Sequence, residues 1–548
     1  MTQQLIAPIQ RFQQWVEQTP DNVYLRQPKD GQWDDLTFKE VWDRSARIAQ
    51  YLTKLPQRSH VALYSLNCAD WFIADLAIFM AGHISVPIYP TAGSHTISFI
   101  LNHSDIKIAF VGKLFDWDDK KSCFDGKECI SLFDDKENIT QVKSIIANND
   151  PIAEVYNPDI NDIATLVYTS GTTGNPKGVM LSYRAIANSL ITVDSVFSIN
   201  QDDRFISYLP LAHVAERMIV EMASVYNGGT VSFVQSLDHF ADNLQSVQPS
   251  IFFAVPRIWL KLKEGVEAKL GGAKMFKFLI KLPWLGNKLK ATLKQKLGLA
   301  ENRLAVSAAA SLPQSILDWF EYLDVEICEA YGLSETSGFS HINLPGERKS
   351  GSVGKPFPGA KCMLAENGEV LLSNDSLMDG YYLEPDLTDA AIQDGWFRTG
   401  DLGREDEDGY LYITGRVKEI FKTAKGKYIS PVPIESKLTA YITAEHMCLM
   451  GDGFTQPILI VSYLNDMTSA EKKQLSATIE NGINEVNAVL EKHERIIKVL
   501  VVNEDWTTEN NLMTPTLKIR RQQIEDRYHQ YVSEVVENNK LVNFQDMS

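Results

Sequence analysis

The stretch TSGTTGNPKG, from Thr169 to Gly178, is the feature around which the rest of the chain can be arranged. The apolar, β-branched run Ile163–Tyr168 before it predicts a buried strand, and Val179–Leu190 after it has the spacing of a helix. Three glycines, four hydroxyl side chains and Lys177 lie in the stretch. Glycines let backbone N–H groups approach an anion, while hydroxyls and the lysine add donors and charge. The stretch therefore predicts a phosphate-binding loop. It is not a Walker A loop, because asparagine and proline precede the lysine where that motif has glycine.

The composition excludes several classes of protein. With 548 residues, of which 44% are hydrophobic, the chain can bury a large core and form several domains. The net charge of −17 argues against a general nucleic-acid binder. The six cysteines show no CxxC or histidine-paired metal spacing and indicate reduced thiols in a cytosolic protein. The start of the chain lacks the pattern of a signal peptide, and no apolar run reaches the roughly 20 residues that span a bilayer. We expect a cytoplasmic protein, with association to a membrane surface left open.

Strand-like and helix-like segments alternate before the phosphate loop. The predicted strands are His60–Asn67, Ile84–Pro90 and Ile106–Gly112, and the predicted helices are Cys68–Gly82 and Ile97–Asp105. Such alternation is typical of a mostly parallel sheet with helices on both faces, so the sequence predicts an α/β fold.

The segment Lys261–Lys296 reverses the sign of the chain's charge. It holds ten lysines against two glutamates, interleaved with leucine, phenylalanine, isoleucine and tryptophan. One interpretation is an interfacial segment that lays its apolar side chains against anionic lipid. The other is a solvated pair of helices whose apolar face packs inward. The sequence does not decide between them.

Polar residues that could contact a nucleotide follow further along the chain. In EAYGLSETSG, Tyr331 could stack on a base, Ser334 could contact phosphate, and Glu335 alone could hold Mg²⁺ together with substrate phosphates. Asp401 lies in a Gly-Asp turn and could accept from sugar hydroxyls. His213, after a Leu-Pro-Leu turn, stands where a helix could begin, although a lone histidine is more often structural.

The pattern changes after residue 414. We place a domain boundary at Gly415–Lys418, because a smaller unit with its own predicted strands, His446–Met450 and Pro457–Tyr463, follows it. Near its end a polar loop carries Lys518, just ahead of a long amphipathic helix predicted over Arg520–Glu537.

Seven motifs, in this order, carry a resemblance to a known family. They are YTSGTTGNPKGVML, YLPLAHVAER, VPRIW, AYGLSET, GWFRTGDLG, ITGRVKEIFKTAKGKYISP and TPTLKIRR. Together they resemble the adenylate-forming (AMP-binding) superfamily and, within it, the long-chain fatty acid:CoA ligases, from about Trp33 to Arg521. The resemblance implies a large N-terminal domain of several subdomains (1–414) with mostly parallel sheets flanked by helices. A hinge (415–418) and a small α+β C-terminal lid (419–548) would follow.

The resemblance also implies a reaction in two steps. A fatty acid carboxylate attacks the α-phosphate of ATP, with Mg²⁺, to give acyl-AMP and pyrophosphate, and the thiol of CoA then displaces AMP. The acid is expected to be long-chain on this resemblance. The same resemblance implies small-molecule partners and no nucleic acid.

Individual residues take roles from the matched motifs. The ATP or AMP contacts are Thr169, Ser170, Gly171, Thr172, Thr173, Gly174, Lys177, Tyr331, Gly332, Ser334, Asp401 and Arg416, with Asp401 and Arg416 as the ribose pair. Glu335 is the Mg²⁺ ligand, Lys518 bridges the attacking carboxylate and the α-phosphate, and His213 lines the acyl entrance as a second catalytic candidate. Lys418 is the hinge, and Gly426 and Lys427 belong to the thiolation element. One departure is Ser307–Ala310, where relatives are frequently glycine-rich near the adenine.

Two other functions stay open at this point. One is a fatty-acyl-AMP ligase that hands its acyl group to a carrier protein, against which GKYISP argues modestly. The other is a non-catalytic lipid or nucleotide sensor on the same fold. Chain-length preference, pathway and oligomeric state are not predicted.

Overall fold

The computed structural model describes most of the chain. The described residues are 5–114, 116–133, 139–169, 175–283, 285–442, 444–463, 467–514 and 518–545. The helices are α1 (Pro8–Gln18), α2 (Phe38–Leu52), α3 (Ala69–Met80), α4 (Ser94–His103), α5 (Trp117–Lys120), α6 (Val142–Asn148), α7 (Tyr183–Phe197), α8 (Val214–Glu216), α9 (Ala223–Asn227), α10 (Phe240–Val247), α11 (Pro256–Leu270), α12 (Ala273–Ile280), α13 (Leu285–Lys296), α14 (Gln314–Glu321), α15 (Pro385–Ala391), α16 (Pro431–Leu438), α17 (Ser469–Val489) and α18 (Arg521–Val536).

The strands belong to several sheets. They are β1 (Val23–Lys29), β2 (Gln32–Thr37), β3 (His60–Tyr64), β4 (Ile84–Ile88), β5 (Ile108–Val111), β6 (Glu128–Ser131), β7 (Thr140–Gln141), β8 (Ile163–Thr169), β9 (Lys177–Ser182), β10 (Arg204–Ser207), β11 (Thr230–Phe233), β12 (Ile251–Ala254), β13 (Leu304–Ser307), β14 (Ile327–Tyr331), β15 (His341–Ile342), β16 (Lys355–Pro356), β17 (Lys361–Leu364), β18 (Glu369–Ser373), β19 (Gly380–Tyr381), β20 (Ile392–Gln393), β21 (Trp396–Glu405), β22 (Leu411–Arg416), β23 (Phe421–Lys422), β24 (Tyr428–Ile429), β25 (His446–Met450), β26 (Ile458–Ser462), β27 (Lys498–Val502) and β28 (Val542–Phe544).

The largest sheet has eight strands in the order β19-β9-β8-β4-β3-β5-β6-β7. Its pairs from β8 to β7 are parallel, as the alternation of strands and helices predicts. Alternate residues of β3 belong to two different apolar clusters: Val61 and Leu63 pack with α3, whereas Ala62 and Tyr64 pack with α4. Both faces are therefore covered, and the predicted α/β class is confirmed.

The prediction that a helix runs over Val179–Leu190 is wrong in its first third. Residues 177–182 form β9, which pairs antiparallel with β8, so that Lys177 lies opposite Thr169 and Gly178 opposite Tyr168. Helix α7 begins only at Tyr183, where the Ser182 hydroxyl accepts the N–H of Ala185 at 3.4 Å. A short apolar run fits strand and helix equally well, and here pairing with β8 decides. The phosphate loop thus joins two strands of a hairpin.

A five-stranded sheet, β12-β13-β14-β15-β16, lies beside the first. Residues alternate between its faces: Leu304 and Val306 join the main core, whereas Ala305 joins the cluster beneath α11 and α12. Two further sheets complete the part before residue 416: β10-β11-β1-β2, and β17-β18-β21-β20 with β22 on β21.

Beyond β22 the chain forms a smaller α+β unit. A mixed sheet, β25-β26-β27-β28, packs against α16, α17 and α18, and β23 with β24 makes a separate hairpin. The predicted strands there are confirmed, each within two residues at its ends, and the long helix is confirmed as α18. The proposed domain limits at 415–418 remain a prediction. Within the described residues, no helix is long and apolar enough to cross a membrane.

The candidate active site

A cavity of about 510 Å³ brings together residues from both the large and the small unit. Its lining has a polar end and an apolar arm. The polar end contains Thr169, Lys177, His213, Gly332, Ser334, Glu335, Tyr381, Arg398, Thr399, Arg416, Lys418, Glu419 and Lys518. Residues separated by up to 349 positions therefore surround one cavity, and eight of the residues with predicted ATP, catalytic or metal roles are among them.

The strand pair β8–β9 and the edge strand β19 build one side of the polar end. Tyr381 on β19 lies opposite Val179 of β9, and its hydroxyl donates to Oε1 of Glu335 at 2.9 Å. The Nζ of Lys177 lies 4.8 Å from the centre of the Tyr381 ring. Tyr381 thus contacts the Glu335 carboxylate through its hydroxyl and the Lys177 ammonium through its ring. The sequence analysis did not identify it, because nothing local in GYY signals a partner 46 residues away.

The predicted ribose pair is present as an ion pair. The Nε of Arg416 donates to Oδ1 of Asp401 at 2.7 Å, and the hydroxyl of Tyr331 donates to Oδ2 at 2.7 Å. The carboxylate is 4% exposed and is not among the cavity-lining residues, whereas Arg416 is. Asp401 therefore lies outside the cavity lining and orients Arg416 and Tyr331 through these hydrogen bonds. Whether it also meets a ribose hydroxyl remains a prediction.

Lys518 reaches the cavity from the small unit. A short loop supports it: its N–H donates to the Thr514 hydroxyl at 3.1 Å, and its carbonyl accepts the N–H of Thr514 at 2.8 Å. Three residues later, Arg521 makes two hydrogen bonds to the Glu435 carboxylate, at 2.7 and 3.0 Å. Burial, followed by the neighbouring Arg416, lowers the pKa of Lys518 below its ordinary value. In its protonated form this amine would attract anionic oxygens.

His213 begins a helix, as predicted. Its Nδ1 accepts the N–H of Ala215 at 3.1 Å, so in the neutral ring the proton is on Nε2. Burial, and after it the charge of Lys518, lowers the pKa of His213 to about 4. The ring is therefore neutral near pH 7 and offers the site one N–H donor.

The rest of the cavity lining is largely apolar and forms what we call the apolar arm. Helix α7, the π-helical segment Arg217–Met222 and the five-stranded sheet contribute its walls. Its apolar side chains include Leu190, Val193, Phe197, Ile199, Met218, Ile219, Ile251, Leu304, Val306, Phe339, Ile342 and Phe357. π-Helical turns are frequent at functional sites, and here the turn supplies two consecutive wall residues, Met218 and Ile219. The arm has the chemistry of a site for a hydrocarbon group.

The departure at Ser307–Ala310 borders this cavity. Ala308 and Ala309 line it, and Ala309 has a φ of 73°, a left-handed conformation that favours glycine. A glycine would adopt this conformation without strain, whereas this chain adopts it with alanine.

The other predicted site residues lie elsewhere. Gly426 and Lys427 are in the exposed turn between β23 and β24 and do not line the cavity. Lys418 lines the cavity beside Glu419. Ser170, Gly171, Thr172, Thr173 and Gly174 lie outside the described residues. Sequence reasoning also did not find Glu369 and Arg398, an ion pair that lines the cavity. Arg398 lies in the motif GWFRTGDLG without an assigned role, and Glu369 lies in none of the seven motifs.

Two family models match the chain. The model of the AMP-binding enzyme matches residues 12–382, and the model of the AMP-binding enzyme C-terminal domain matches residues 419–540. The chain belongs to the AMP-binding enzyme family. The resemblance found in the seven motifs is therefore confirmed.

Two curated relatives are similar to this AMP-binding enzyme over nearly their whole length. The long-chain-fatty-acid–CoA ligase FadD15 of Mycobacterium bovis is 29% identical and covers 93% of each chain. The long chain acyl-CoA synthetase 2 of Arabidopsis thaliana is 26% identical over 97% of this chain and 93% of its own.

Solved structures share the fold. The adenylation domain of a carboxylate reductase from Mycobacterium chelonae superposes with a TM-score of 0.82 at 19% identity, covering 98% of this chain and 92% of its own. O-succinylbenzoate coenzyme A synthetase from Bacillus subtilis, solved with AMP, gives a TM-score of 0.75 at 20% identity, over 94% and 98%. The chain thus has the adenylate-forming enzyme fold, with a large N-terminal and a smaller C-terminal domain.

Proposed function

We propose that this AMP-binding enzyme activates a fatty acid with ATP and transfers the acyl group to CoA. The observation that carries the proposal is the single cavity in which Lys177, Arg416 and Lys518 converge at one end while apolar side chains line the other. Three cations suit a triphosphate, and a long apolar arm suits an alkyl chain. The names of the curated relatives support the same acid and acceptor.

In the first step, a carboxylate oxygen forms a bond to the α-phosphorus of ATP, and the bond from that phosphorus to the bridging oxygen of the β-phosphate breaks. Pyrophosphate leaves with the electron pair. Negative charge grows on the oxygens between the carboxylate and the α-phosphate, where Lys518 would donate. Lys177 would hold the leaving pyrophosphate. Donors placed in advance in this way contribute on the order of 10²–10³ in rate.

The donor set also fits Mg²⁺. Mg²⁺ is commonly bound by one or two carboxylates together with substrate phosphates, and Glu335 supplies one carboxylate at the cavity. Within the described residues no group of three or more potential ligands exists that would form an all-protein metal cage. Glu335 would hold the ion, which when bound would neutralise phosphate charge. Tyr381 would keep the carboxylate oriented toward it.

In the second step, the sulfur of CoA forms a bond to the acyl carbon, the bond from that carbon to AMP breaks, and the thiol proton passes to solvent. This step needs different protein groups at the same carbon. Here Lys518 occupies the site and the Gly426–Lys427 turn lies away from it, so we infer that this is the arrangement for adenylation. A rotation of the small domain about Lys418 would move Lys518 out of the site and bring the Gly426–Lys427 turn into it.

The function is tested by measuring pyrophosphate release with saturated acids of increasing length, and AMP release with and without CoA. Each buried methylene contributes ~0.8 kcal/mol, which is about fourfold in kcat/KM, so kcat/KM should rise steeply with chain length until the arm is filled. Release of AMP should depend on CoA. Activity that peaks at short, polar acids would contradict the fatty acid, and AMP release unaffected by CoA would favour transfer to a carrier protein.

A substitution that narrows the apolar arm, compared with a matched control on the same helix, tests whether the arm holds the acid. Val193→Phe places a ring on the α7 wall of the cavity, and the preferred acid should become shorter. Ser195→Phe adds the same ring at an exposed position of α7 that does not line the cavity, and the preference should not change. An identical chain-length profile for both variants would show that the arm does not hold the acid.

The rate of pyrophosphate formation should also depend on pH through Lys518. The amine must be protonated to act, and its pKa is lowered, so kcat/KM should fall at a pH below that at which an ordinary lysine titrates. Lys518→Arg keeps the charge at high pH and should remove that alkaline limb, whatever its effect on the maximum rate. A limb that persists unchanged in the arginine variant would assign it to another group.

A further inference from the structure

Helix α12 has two apolar sides, and the core accounts for only one of them. Phe276 and Ile280 face inward, and the ring of Phe276 stacks on Trp319 with 4.5 Å between centroids. On the outer side, Met275 is 47% exposed and Phe278 is 62% exposed. No other helix in the described part of the chain presents two such exposed large apolar residues. Since the inner side already anchors the helix, the outer residues contribute little to the core.

The outer residues form a stripe with the spacing of one helical face. Met275, Phe278 and Leu279 stand at positions i, i+3 and i+4 of α12, and Leu279 is half-buried. Leu282, also half-buried, follows just after the helix ends at Ile280. Exposed lysines border this stripe: Lys274, Lys277 and Lys281. The wider segment, 261–296, carries ten lysines against two glutamates in a chain whose net charge is −17. The sequence left open whether the apolar residues of this segment pack inward or face a membrane. In the structure one apolar face of α12 packs inward, and a second faces outward.

We propose that the outer face of α12 docks on an anionic lipid bilayer. Phe278 and Met275 would enter the boundary between head groups and acyl chains, and the bordering lysines would meet lipid phosphates. Apolar burial and attraction to anionic lipid are each weak alone and act together in interfacial helices. A soluble polyanion would engage the lysines and leave the apolar stripe exposed, so a bilayer fits both features better.

The outer face of α12 and the apolar arm lie on opposite sides of the five-stranded sheet. The cluster that holds α12 packs on one face of the five-stranded sheet, through Phe252, Ala305 and Ile327. The opposite face of the same sheet supplies Leu304 and Val306 to the apolar arm. If the proposed function holds, docking would bring the fatty acid site near a bilayer, in which fatty acids dissolve, with the cluster around α12 and the sheet between them. The docking itself does not depend on that function.

Co-sedimentation of the full chain with vesicles tests the proposal. The vesicles are phosphatidylcholine alone, or phosphatidylcholine with about one-third phosphatidylglycerol, at low and high salt. We expect binding only to the anionic vesicles and loss of that binding in high salt. Met275→Ser with Phe278→Ser should weaken binding about tenfold or more. K274E/K277E/K281E should weaken it at least ~100-fold.

Matched controls separate this face from general effects of charge and hydrophobicity. K39E/K473E/K492E makes the same change of net charge at exposed lysines elsewhere, and Val489→Ser removes an apolar side chain that is 71% exposed. Both should bind like the parent protein, and all variants should keep pyrophosphate release with a soluble acid if the proposed function holds. Absence of vesicle binding, equal binding by parent and α12 variants, or a dimer lost in the α12 variants would overturn the proposal. Each of these results leaves the test of acid activation unaffected.

Discussion

Replacing Lys518 with alanine should abolish the formation of acyl-AMP and largely spare the formation of thioester from supplied acyl-AMP. Lys518 is the cavity-lining cation from the small domain, and burial, followed by the charge of Arg416, lowers its pKa. Loss of a donor at the developing charge should reduce pyrophosphate release by about 10²–10³. Under the proposed function, the second half-reaction would use another orientation of the small domain, so the missing amine should matter little there.

Both half-reactions can be measured on the same preparation. Pyrophosphate release from acid and ATP reports the first, and thioester formation from acyl-AMP and CoA reports the second. Lys473→Ala, at an exposed lysine on α17 of the same small domain, is the matched control and should leave both rates unchanged. Equal loss of the two activities in the Lys518 variant would refute its assignment to adenylation.

Replacing Arg217 with methionine should destabilise the large domain by about 3–5 kcal/mol, the cost of leaving a buried carboxylate unpaired. Arg217 is 1% exposed, and its Nη2 lies 2.9 Å from Oδ2 of Asp75 while its Nη1 donates to Glu221 at 2.9 Å. Burial, and after it the charge of Asp75, raises the pKa of Glu221 well above its ordinary value. Arg217 therefore lies between two buried carboxylates, those of Asp75 and Glu221.

Denaturant unfolding of the full chain measures this effect, with the first transition followed by tryptophan fluorescence. Arg47→Met breaks a half-exposed pair with Asp43 and should cost about 1 kcal/mol or less. The double variant Arg217→Met with Asp75→Leu removes both charges and should regain much of the loss. If the Arg217 variant unfolds within 1 kcal/mol of the parent, the buried pair does not hold the domain together.

This cluster also bears on the active site. The π-helical segment Arg217–Met222 begins at the buried arginine, and Met218 and Ile219, which follow it, line the apolar arm. The ion pair thus fixes the wall of the arm to α3 through Asp75. We expect the Arg217 variant to lose chain-length selectivity even at temperatures where it stays folded.

Features that depend on neighbouring residues could be predicted from the sequence. The alternation of strands and helices predicted the parallel sheet, and the order of motifs predicted the family. The turn after Leu-Pro-Leu correctly placed His213 at the start of a helix. Each of these depends on local spacing, which a sequence displays directly.

What failed, or could not be attempted, depends on contacts between distant segments. The run Val179–Ser182 is a strand because β8 lies beside it, and no property of the run itself decides this. Tyr381 was missed because its role comes from an edge strand that brings it to Glu335 and Lys177. The sequence also did not decide whether the apolar residues of α12 pack inward or face outward. The stacking of Phe276 on Trp319, a residue of a distant segment, identifies the inward side.

By itself, then, the sequence determined the family, the α/β class and a set of residues suited to phosphate, nucleotide and metal, because these follow from residue types at fixed spacing. The tertiary structure decided that Lys177, Glu335, Arg416 and Lys518 share one cavity, that the cavity continues as an apolar arm, and that Lys518 rather than the Gly426–Lys427 turn faces it. The physical reason is that side chains from separate strands and from two domains converge only when the sheets pack and the small domain adopts one orientation.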